Sequence, residues 1–309
     1  MEYYSFNIIY LCIIMKEQKV KNLEMLVPEG NAFRHETPEH LPKLHQNTIF
    51  CGKRGSGKGV AMYNMIKRFR DCGKMDRLFV ISPTFNSNKK LLEEFNIDSG
   101  DIYDDLDNDK CVLDIVSKIE AEARELETYR ALMKQYQRFK RLMDRGDHIS
   151  DDLLEAFYDG NGFPPPQHKW GGKEPVMGLI VDDAQGSNLF KSRKFQNFII
   201  RHRHVGAFES GGALGCSVFI CIQSYMAQNG CPRSVRNNIT SMCLFKTKDE
   251  KELDQVSREM SGEVSPEQFV NVYNQAIREP HDFLFIDLHK KPTQPSMFRR
   301  NFDTYLVSN

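Results

Sequence analysis

The chain of 309 residues lacks the features that mark several classes of protein. Neither sign of charge is in excess, because 42 Lys and Arg residues balance 42 Asp and Glu residues. No overall field therefore indicates a nucleic-acid partner, and any such contact must be local or built by assembling subunits. The apolar run at residues 6–14 is too short to span a bilayer, and no basic segment precedes it. A secreted or membrane protein is not expected.

Paired cysteines are also lacking. The eight cysteines show none of the spacings that mark zinc sites, and four of them lie within apolar runs typical of strands: Cys51, Cys216, Cys221 and Cys243. This pattern predicts buried free thiols in a reducing compartment. With 40% hydrophobic and 27% charged residues, the chain can bury one large α/β core, or such a core with a helical insertion.

A glycine-rich segment at residues 52–59, GKRGSGKG, follows the apolar run 48–51 and precedes residues 61–70, which are apolar at helical spacing. A phosphate-binding loop needs this order of strand, loop and helix. Its glycines let successive N–H groups point at phosphate oxygens, and Lys58 adds a positive charge at the β/γ position. A glycine-rich turn without a ligand is the alternative. We predict a nucleoside triphosphate site formed by Gly52, Lys53, Arg54, Gly55, Ser56, Gly57, Lys58, Gly59 and Val60.

Gly59 departs from this motif, which normally ends in a Ser or Thr whose hydroxyl binds Mg²⁺. Mg²⁺ usually keeps several waters, so one more water could take the place of the hydroxyl at some cost in affinity or positioning. The sequence therefore predicts nucleotide binding more firmly than it predicts turnover.

Further apolar runs at residues 77–81, 176–181, 216–222, 242–245 and 283–286 predict strands, and helical patterns occur at 250–260 and 266–277. Strands that alternate with helices predict an α/β fold with a doubly wound, mostly parallel sheet. We expect an N-terminal arm at residues 1–44 and a nucleotide-binding domain at 45–309. Translation could instead begin at Met15, and an apolar arm that docks on a neighbouring subunit is the alternative for residues 1–14.

Residues 112–143 are apolar at alternating spacings of three and four, which predicts a long amphipathic helix or a helical hairpin. Glu122 and Lys140 interrupt this pattern. We expect a helical insertion at about residues 105–170, closed by an exposed connection at 159–175. The second half of the helical stretch is basic, which indicates a solvated face or a contact for DNA or an acidic partner: Lys134, Arg138, Lys140, Arg141 and Arg145.

Two strand ends carry polar residues that suit nucleotide hydrolysis. In that reaction, a carboxylate on the strand beside the glycine loop holds Mg²⁺ through water, and a neighbouring carboxylate orients or deprotonates the attacking water. The run 176–181 ends in Asp182, which fits the first role, and Asp183, which fits the second. Gln223 closes another strand, where it either binds the γ-phosphate or the attacking water, or is a polar strand cap. Candidates for an arginine finger from a neighbouring subunit are Arg201, Arg203 and Arg236.

Four segments, taken in order, carry a family resemblance: GKRGSGKG at 52–59, LIVDDAQ at 179–185, RHRHVG at 201–206 and ICIQSYMAQNGCPRSVRNNIT at 220–240. Over residues 45–250 the chain resembles the genome-packaging ATPases of large double-stranded DNA viruses and virophages, in the FtsK/HerA superfamily of P-loop ATPases. The resemblance implies a RecA/FtsK-like fold and a sensor role for Gln223. The Pro and the Arg-Asn pair of the family match Pro232 and Arg236-Asn237. The Arg-His element of the family maps to Arg203-His204 or to the duplicate pair Arg201-His202. Residues 206–215 look like an insertion, either a loop facing a central channel or an ordinary loop.

The function implied by this resemblance is ATP-driven translocation of double-stranded DNA, packaging a viral genome into a preformed capsid. Implied cofactors are ATP and Mg²⁺, the latter held through water by Asp182. Implied partners are a homo-oligomeric ring, a capsid vertex and the DNA backbone, bound without sequence specificity because no recognition helix or zinc finger is evident. The expected location is the host cytoplasm or a viral factory, or in association with the virion. Alternatives are a helicase-type replication ATPase and, given Gly59, a nucleotide-binding scaffold with weak hydrolysis.

Overall fold

The computed structural model describes residues 36–84, 93–106, 109–226, 231–262 and 264–307. All of them belong to one compact unit, residues 33–309. The predictions made for residues 1–14, and most of the expected N-terminal arm, lie outside the described residues. Within the described ranges, no helix combines the length and the apolar character that crossing a membrane requires.

The described residues form a single sheet of nine strands at the centre of the unit, with the strand order β3-β2-β4-β5-β1-β6-β7-β8-β9. Strands β1 to β6 pair in parallel with one another, whereas β7 pairs antiparallel with β6, and the β7–β8 and β8–β9 pairs are also antiparallel. The α/β fold with a mostly parallel sheet is thus confirmed. The strands are β1 (Asn47–Cys51), β2 (Arg77–Ile81), β3 (Ile102–Tyr103), β4 (Met177–Val181), β5 (Ser217–Ile222), β6 (Ser241–Phe245), β7 (Phe283–Asp287), β8 (Phe298–Arg300) and β9 (Thr304–Tyr305).

Helices cover both faces of the sheet. They are α1 (Lys58–Asp71), α2 (Lys110–Arg145), α3 (Asp151–Phe157), α4 (Asn188–Lys191), α5 (Arg193–Arg201), α6 (Arg233–Arg236), α7 (Glu250–Met260) and α8 (Pro266–Ala276). One apolar core lies between α1 and the sheet, and the other lies between the sheet and α2, α5, α7 and α8. Because both faces are covered, the central strands are fully buried and mostly apolar, and their buried polar residues are Asn47, Thr48 and Ser217. Phe69 of α1 is entirely buried, which contributes about 1.5–3 kcal/mol.

Helix α2 is one continuous helix of 36 residues, so of the two alternatives the long helix is correct. Glu122 interrupts the apolar pattern and yet is buried, 4% exposed. Its carboxylate accepts hydrogen bonds from Arg77 at 2.7 Å, Trp170 at 2.7 Å and Lys169 at 3.1 Å. The charged residue therefore occupies the interior position that the heptad predicts, and its partners come from a strand and a loop far away in sequence. Lys140, the other interruption, is exposed.

One expectation about the sheet is wrong. The strand that carries Asp182 does not lie beside the strand of the glycine loop, because β5 is inserted between β4 and β1 and pairs in parallel with both. Parallel strands place their carboxyl ends at one edge of a sheet. The glycine loop, Gln223 and Asp182 therefore follow three consecutive strands at the same edge, with Gln223 in the middle.

Candidate nucleotide-binding site

The glycine loop connects β1 to α1 with the geometry that an anion site requires. Gly57 has φ of 101°, a left-handed conformation that favours glycine, and caps the amino end of α1. Gly52 is needed for a different reason, since an added Cβ would lie 2.6 Å from the Cβ of Phe245 on β6. The loop thus packs tightly on the sheet edge while it turns into the helix.

The amino end of α1 presents amides at this loop that have no hydrogen-bond partner among the described residues. Ala61 is the first helical residue whose N–H meets a carbonyl, that of Gly57 at 2.9 Å, and the N–H groups of residues 58–60 precede it. The Nζ atom of Lys58 donates to the carbonyls of Gly52 at 2.6 Å and Lys53 at 3.0 Å. A phosphate in the loop would find the helix amides and a flexible ammonium group together.

Asp182 and Asp183 follow β4 at the same edge. Asp182 is partly buried. Burial raises its pKa most and the charge of Asp183 raises it further, whereas the charge of Lys58 lowers it by a smaller amount. The Cys221 thiol on β5 and the N–H of Asp183 also lower this pKa, by less than burial raises it. The Lys58 charge therefore acts on Asp182 across the intervening strand.

The exposed Asp183 has φ of 52°, a left-handed conformation that Asp tolerates better than most residues. Its N–H donates to Oδ1 of Asp182 at 3.1 Å, and its Oδ2 accepts from the hydroxyl of Thr84 at 3.0 Å. Thr84 is the third residue after β2, the next strand in the sheet. The hydroxyl fixes the orientation of the Asp183 carboxylate, as a group that positions a water would need.

Gln223 and the glycine loop line one pocket of about 220 Å³. It lies between the ends of β1, β5 and β6 and the start of α7, and its lining residues are Cys51, Gly52, Lys53, Gln223, Ser224, Leu244, Phe245, Lys246, Thr247, Asp249 and Glu252. The sheet order thus places Gln223 next to the loop that would hold phosphates.

The arginine candidates occupy different places. Arg203 is exposed in a 3-10 turn before β5, and the carbonyl of the adjacent His202 accepts from the Cys216 N–H at the amino end of that strand. A strand of six residues separates this end from Gln223, about 20 Å at 3.3 Å per residue. The structure therefore does not bring Arg203 to the glycine loop of its own chain.

Arg236 is held within its own chain. Its Nη2 lies 3.5 Å from Oε1 of Glu259, and its guanidinium lies 5.1 Å from the ring centroid of Tyr225. The side chain is only 15% exposed. The third candidate, Arg201, is the last residue of α5 and is exposed.

Three residues at this edge were not singled out from the sequence. Thr84 contacts Asp183, and Gln185 and Glu252 hold the chain after β5. Gln185 stands two residues after Asp183 in the LIVDDAQ segment, and Thr84 follows a strand end, so their positions in the sequence could have identified both. No sequence feature identifies Glu252, because its role depends on the packing of α7 against residues almost thirty positions earlier.

The four cysteines in apolar runs are buried, as the sequence predicts. Cys51, Cys216, Cys221 and Cys243 are buried and free, and burial raises the pKa of each thiol. Among the described residues, no group of three or more His, Cys, Asp or Glu side chains could hold a metal ion.

No protein-family model matches this chain, and no curated protein matches it. Solved structures do match, among them EssC (ATPases 2 and 3) from Geobacillus thermodenitrificans, with 14% identity over 86% of this chain and a TM-score of 0.43. The chain spans 41% of that EssC chain.

A second matching structure is the genome packaging NTPase B204 from Sulfolobus turreted icosahedral virus 2 in complex with AMP. The match has 12% identity and a TM-score of 0.41, and it covers 84% of this chain and 98% of the B204 chain. VirB4 of Thermoanaerobacter pseudethanolicus has 14% identity over 78% of this chain and 86% of its own, with a TM-score of 0.37.

Proposed function

We propose that this protein is an ATP-driven translocase of double-stranded DNA that packages a viral genome into a preformed capsid. The observation that carries the proposal is the meeting of three strand ends at one edge of the sheet. The glycine loop after β1, Gln223 after β5 and Asp182-Asp183 after β4 are neighbours there. These are the parts that hydrolysis of a nucleoside triphosphate needs.

ATP would bind with its phosphates in the glycine loop. The helix amides at residues 58–60 and the ammonium of Lys58 would surround the β- and γ-phosphates, with Lys58 exchanging its present carbonyl partners for phosphate oxygens. Asp183 would take the proton of the attacking water, or orient that water, with its carboxylate held by Thr84. Gln223, between these two groups, would contact the γ-phosphate and respond to its loss.

The donor set at this edge fits Mg²⁺ in part. Asp182 offers a carboxylate oxygen, the ligand that Mg²⁺ prefers, and an added Cβ at Gly59 would find no atom of the described residues within 4 Å. That open space leaves room for water where a hydroxyl side chain usually stands. When bound, Mg²⁺ would neutralise charge that develops on the phosphates. Asp182 would hold it through water.

Completion of the site requires a second subunit in this proposal. Arg203 is exposed and far from its own glycine loop, so it can serve only the site of a neighbour, as in a ring. Arg236 is less suited to that role, since Glu259 and Tyr225 already contact its guanidinium. A ring of identical subunits would make hydrolysis depend on assembly.

A basic stripe on α2 is our candidate for the contact with DNA. Lys134, Arg138, Arg141 and Arg145 are spaced four, three and four residues apart, so they share one face over about 17 Å of helix. All four are exposed, and none forms an ion pair with another described residue. Another face of the same helix buries Phe139 against Phe157 and Phe163, with ring centroids 5.3 and 5.0 Å away. The stripe therefore projects from an anchored helix, as a contact to phosphates would require.

Asp183→Asn tests the proposed chemistry. The amide keeps the shape and the contact with Thr84 but cannot accept a proton. We expect unchanged ATP binding and a loss of steady-state hydrolysis of at least about 100-fold, the usual scale of a lost general base. Hydrolysis at the wild-type rate would remove Asp183 from this role.

A nucleotide-binding scaffold with weak hydrolysis is the second candidate, and Gly59 is the observation that favours it. The capsid vertex as partner and the host cytoplasm, viral factory or virion as location belong to the leading proposal. They depend on the family resemblance.

A further inference from the structure

The chain immediately after β5, residues 223–225, is held on one side by Gln185; we call these three residues the sensor segment. The Oε1 atom of Gln185 accepts from the N–H groups of Gln223 at 2.6 Å and Ser224 at 3.2 Å. Its Nε2 donates to the carbonyl of Ser224 at 3.0 Å. One carboxamide thus satisfies three backbone groups of a segment that has left the sheet.

Glu252 of α7 holds the same segment from the other side. Its Oε1 accepts from the N–H of Tyr225 at 3.0 Å, and its Oε2 accepts from the hydroxyl of Ser224 at 2.9 Å. The thiol of Cys51, the last residue of β1, donates to Oε1 at 3.4 Å. Glu252 is 5% exposed and lies in the first turn of α7, where the helix dipole favours a negative charge.

These contacts connect the parts of the proposed site through the backbone. Gln185 follows Asp183 by two residues, and Cys51 precedes Gly52, the first residue of the glycine loop. Side chains from the β4 end and from α7 therefore determine where the sensor segment lies between the carboxylates and the loop. The segment makes these bonds through its backbone and the Ser224 hydroxyl, and the side chain of Gln223 takes part in none of them.

We infer that Gln185 and Glu252 are positioning residues, which fix the sensor segment so that Gln223 stands correctly between the glycine loop and Asp182-Asp183. Because α7 carries Glu252, a shift of the sensor segment is transmitted to that helix. This inference rests on the proposed ATP hydrolysis for its catalytic consequence, but not for the contacts themselves.

Amide hydrogen exchange of the peptide that contains residues 223–225 is the direct test, because its three N–H groups are the bonded donors. In Gln185→Ala and in Glu252→Ala, we expect exchange in this peptide to become at least about 10-fold faster, a local opening that leaves other protected peptides unchanged. Gln185→Glu keeps an acceptor oxygen for two of the amides and should recover part of the protection. Unchanged exchange in both alanine variants would overturn the inference.

The matched control is Gln196→Ala. Gln196 is also a partly buried glutamine with two hydrogen bonds, to the Phe190 carbonyl at 3.0 Å and from the Ser234 hydroxyl at 2.8 Å, but it does not touch the sensor segment. It should leave exchange at 223–225 unchanged. Faster exchange there in the control as well would show general loosening and would contradict a specific role.

Steady-state hydrolysis and nucleotide binding supply the functional half of the test. We expect Gln185→Ala to lower kcat by about 10-fold or more while the Kd for a fluorescent ATP analogue changes by less than about 3-fold. Wild-type kcat in a variant with faster exchange would refute the positioning role. If the wild type itself does not hydrolyse ATP, the proposed function fails, and the exchange result alone then decides whether the two side chains fix the segment.

Discussion

Gly59→Ser replaces the glycine at the one position where the loop departs from its motif. The structure accepts the change, since a Cβ at Gly59 would find no atom of the described residues within 4 Å and the residue lies in the first turn of α1. Serine would place a hydroxyl where a water must otherwise complete the shell of Mg²⁺. We therefore expect tighter use of Mg²⁺ without a change in the fold.

The size of the effect follows from the water that the hydroxyl would displace. Holding one ordered water costs about 0–2 kcal/mol. Since 1.4 kcal/mol is a factor of ten, the Mg²⁺ concentration for half-maximal hydrolysis should fall several-fold, and by at most about 30-fold. Replacing glycine in a helix also raises the free energy of unfolding by up to about 1 kcal/mol.

Gly59→Ala is the control that separates these two effects, because alanine gives the helix stabilisation without the hydroxyl. The assay is ATP hydrolysis at a series of Mg²⁺ concentrations for the wild type and both variants, with urea denaturation to measure stability. The expected result is a shift in Mg²⁺ dependence for serine alone. Equal Mg²⁺ dependence in all three proteins would show that a hydroxyl at position 59 does not enter the Mg²⁺ shell, because the metal does not reach that position.

Two further predictions concern the basic stripe of α2 and Asp282, which comes directly before β7. The first variant changes four residues of the stripe together to Gln: Lys134, Arg138, Arg141 and Arg145. It should reduce the slope of log K against log salt concentration for double-stranded DNA by up to about 3.6, at about 0.9 per lost phosphate contact, with basal hydrolysis unchanged. The control changes the exposed Lys191 and Arg193 to Gln, and an unchanged slope in the quadruple variant would exclude the stripe as the DNA contact. The second prediction concerns Asp282 and the pH dependence of stability. Burial would raise the pKa of Asp282, but hydrogen bonds from Asn301 and from the Glu279 and Arg278 amides outweigh burial and lower it. A lowered pKa means that the carboxylate stabilises the fold above the unfolded value of about 3.9 and loses this contribution as pH falls through the folded value. The difference in Tm between the wild type and Asp282→Asn should therefore shrink below about pH 4, and a constant difference from pH 6 to pH 2.5 would contradict this assignment.

The sequence predicted those parts of the fold whose signal is local. Largely apolar runs marked β1, β2, β4, β5, β6 and β7 to within a residue or two, since strands covered on both faces are mostly apolar. The short strands β8 and β9 and the short helices α4 and α6 went unpredicted, because two to four residues carry no measurable periodicity. The insertion of β5 between β4 and β1 could not be predicted from order along the chain, because strand order depends on packing.

For the candidate site, the motifs predicted which residues gather at the sheet edge, but not what holds them there. Lys58, Asp182, Asp183 and Gln223 all follow strand ends, and parallel strands bring those ends together. Glu252 is an acidic residue in an ordinary amphipathic helix and gives no sign of its contacts with Cys51 and Tyr225. Glu122 likewise read as a break in a pattern, although its buried carboxylate is matched by Arg77.

The decisive measurement for the proposed translocase is ATP hydrolysis by the purified protein with Mg²⁺, with and without long double-stranded DNA and with Lys58→Ala as the matched variant. We expect turnover that DNA stimulates and that Lys58→Ala abolishes, because alanine removes the ammonium group at the β/γ position. ATP binding without turnover, whether or not DNA is present, would contradict it and leave the nucleotide-binding scaffold as the better account.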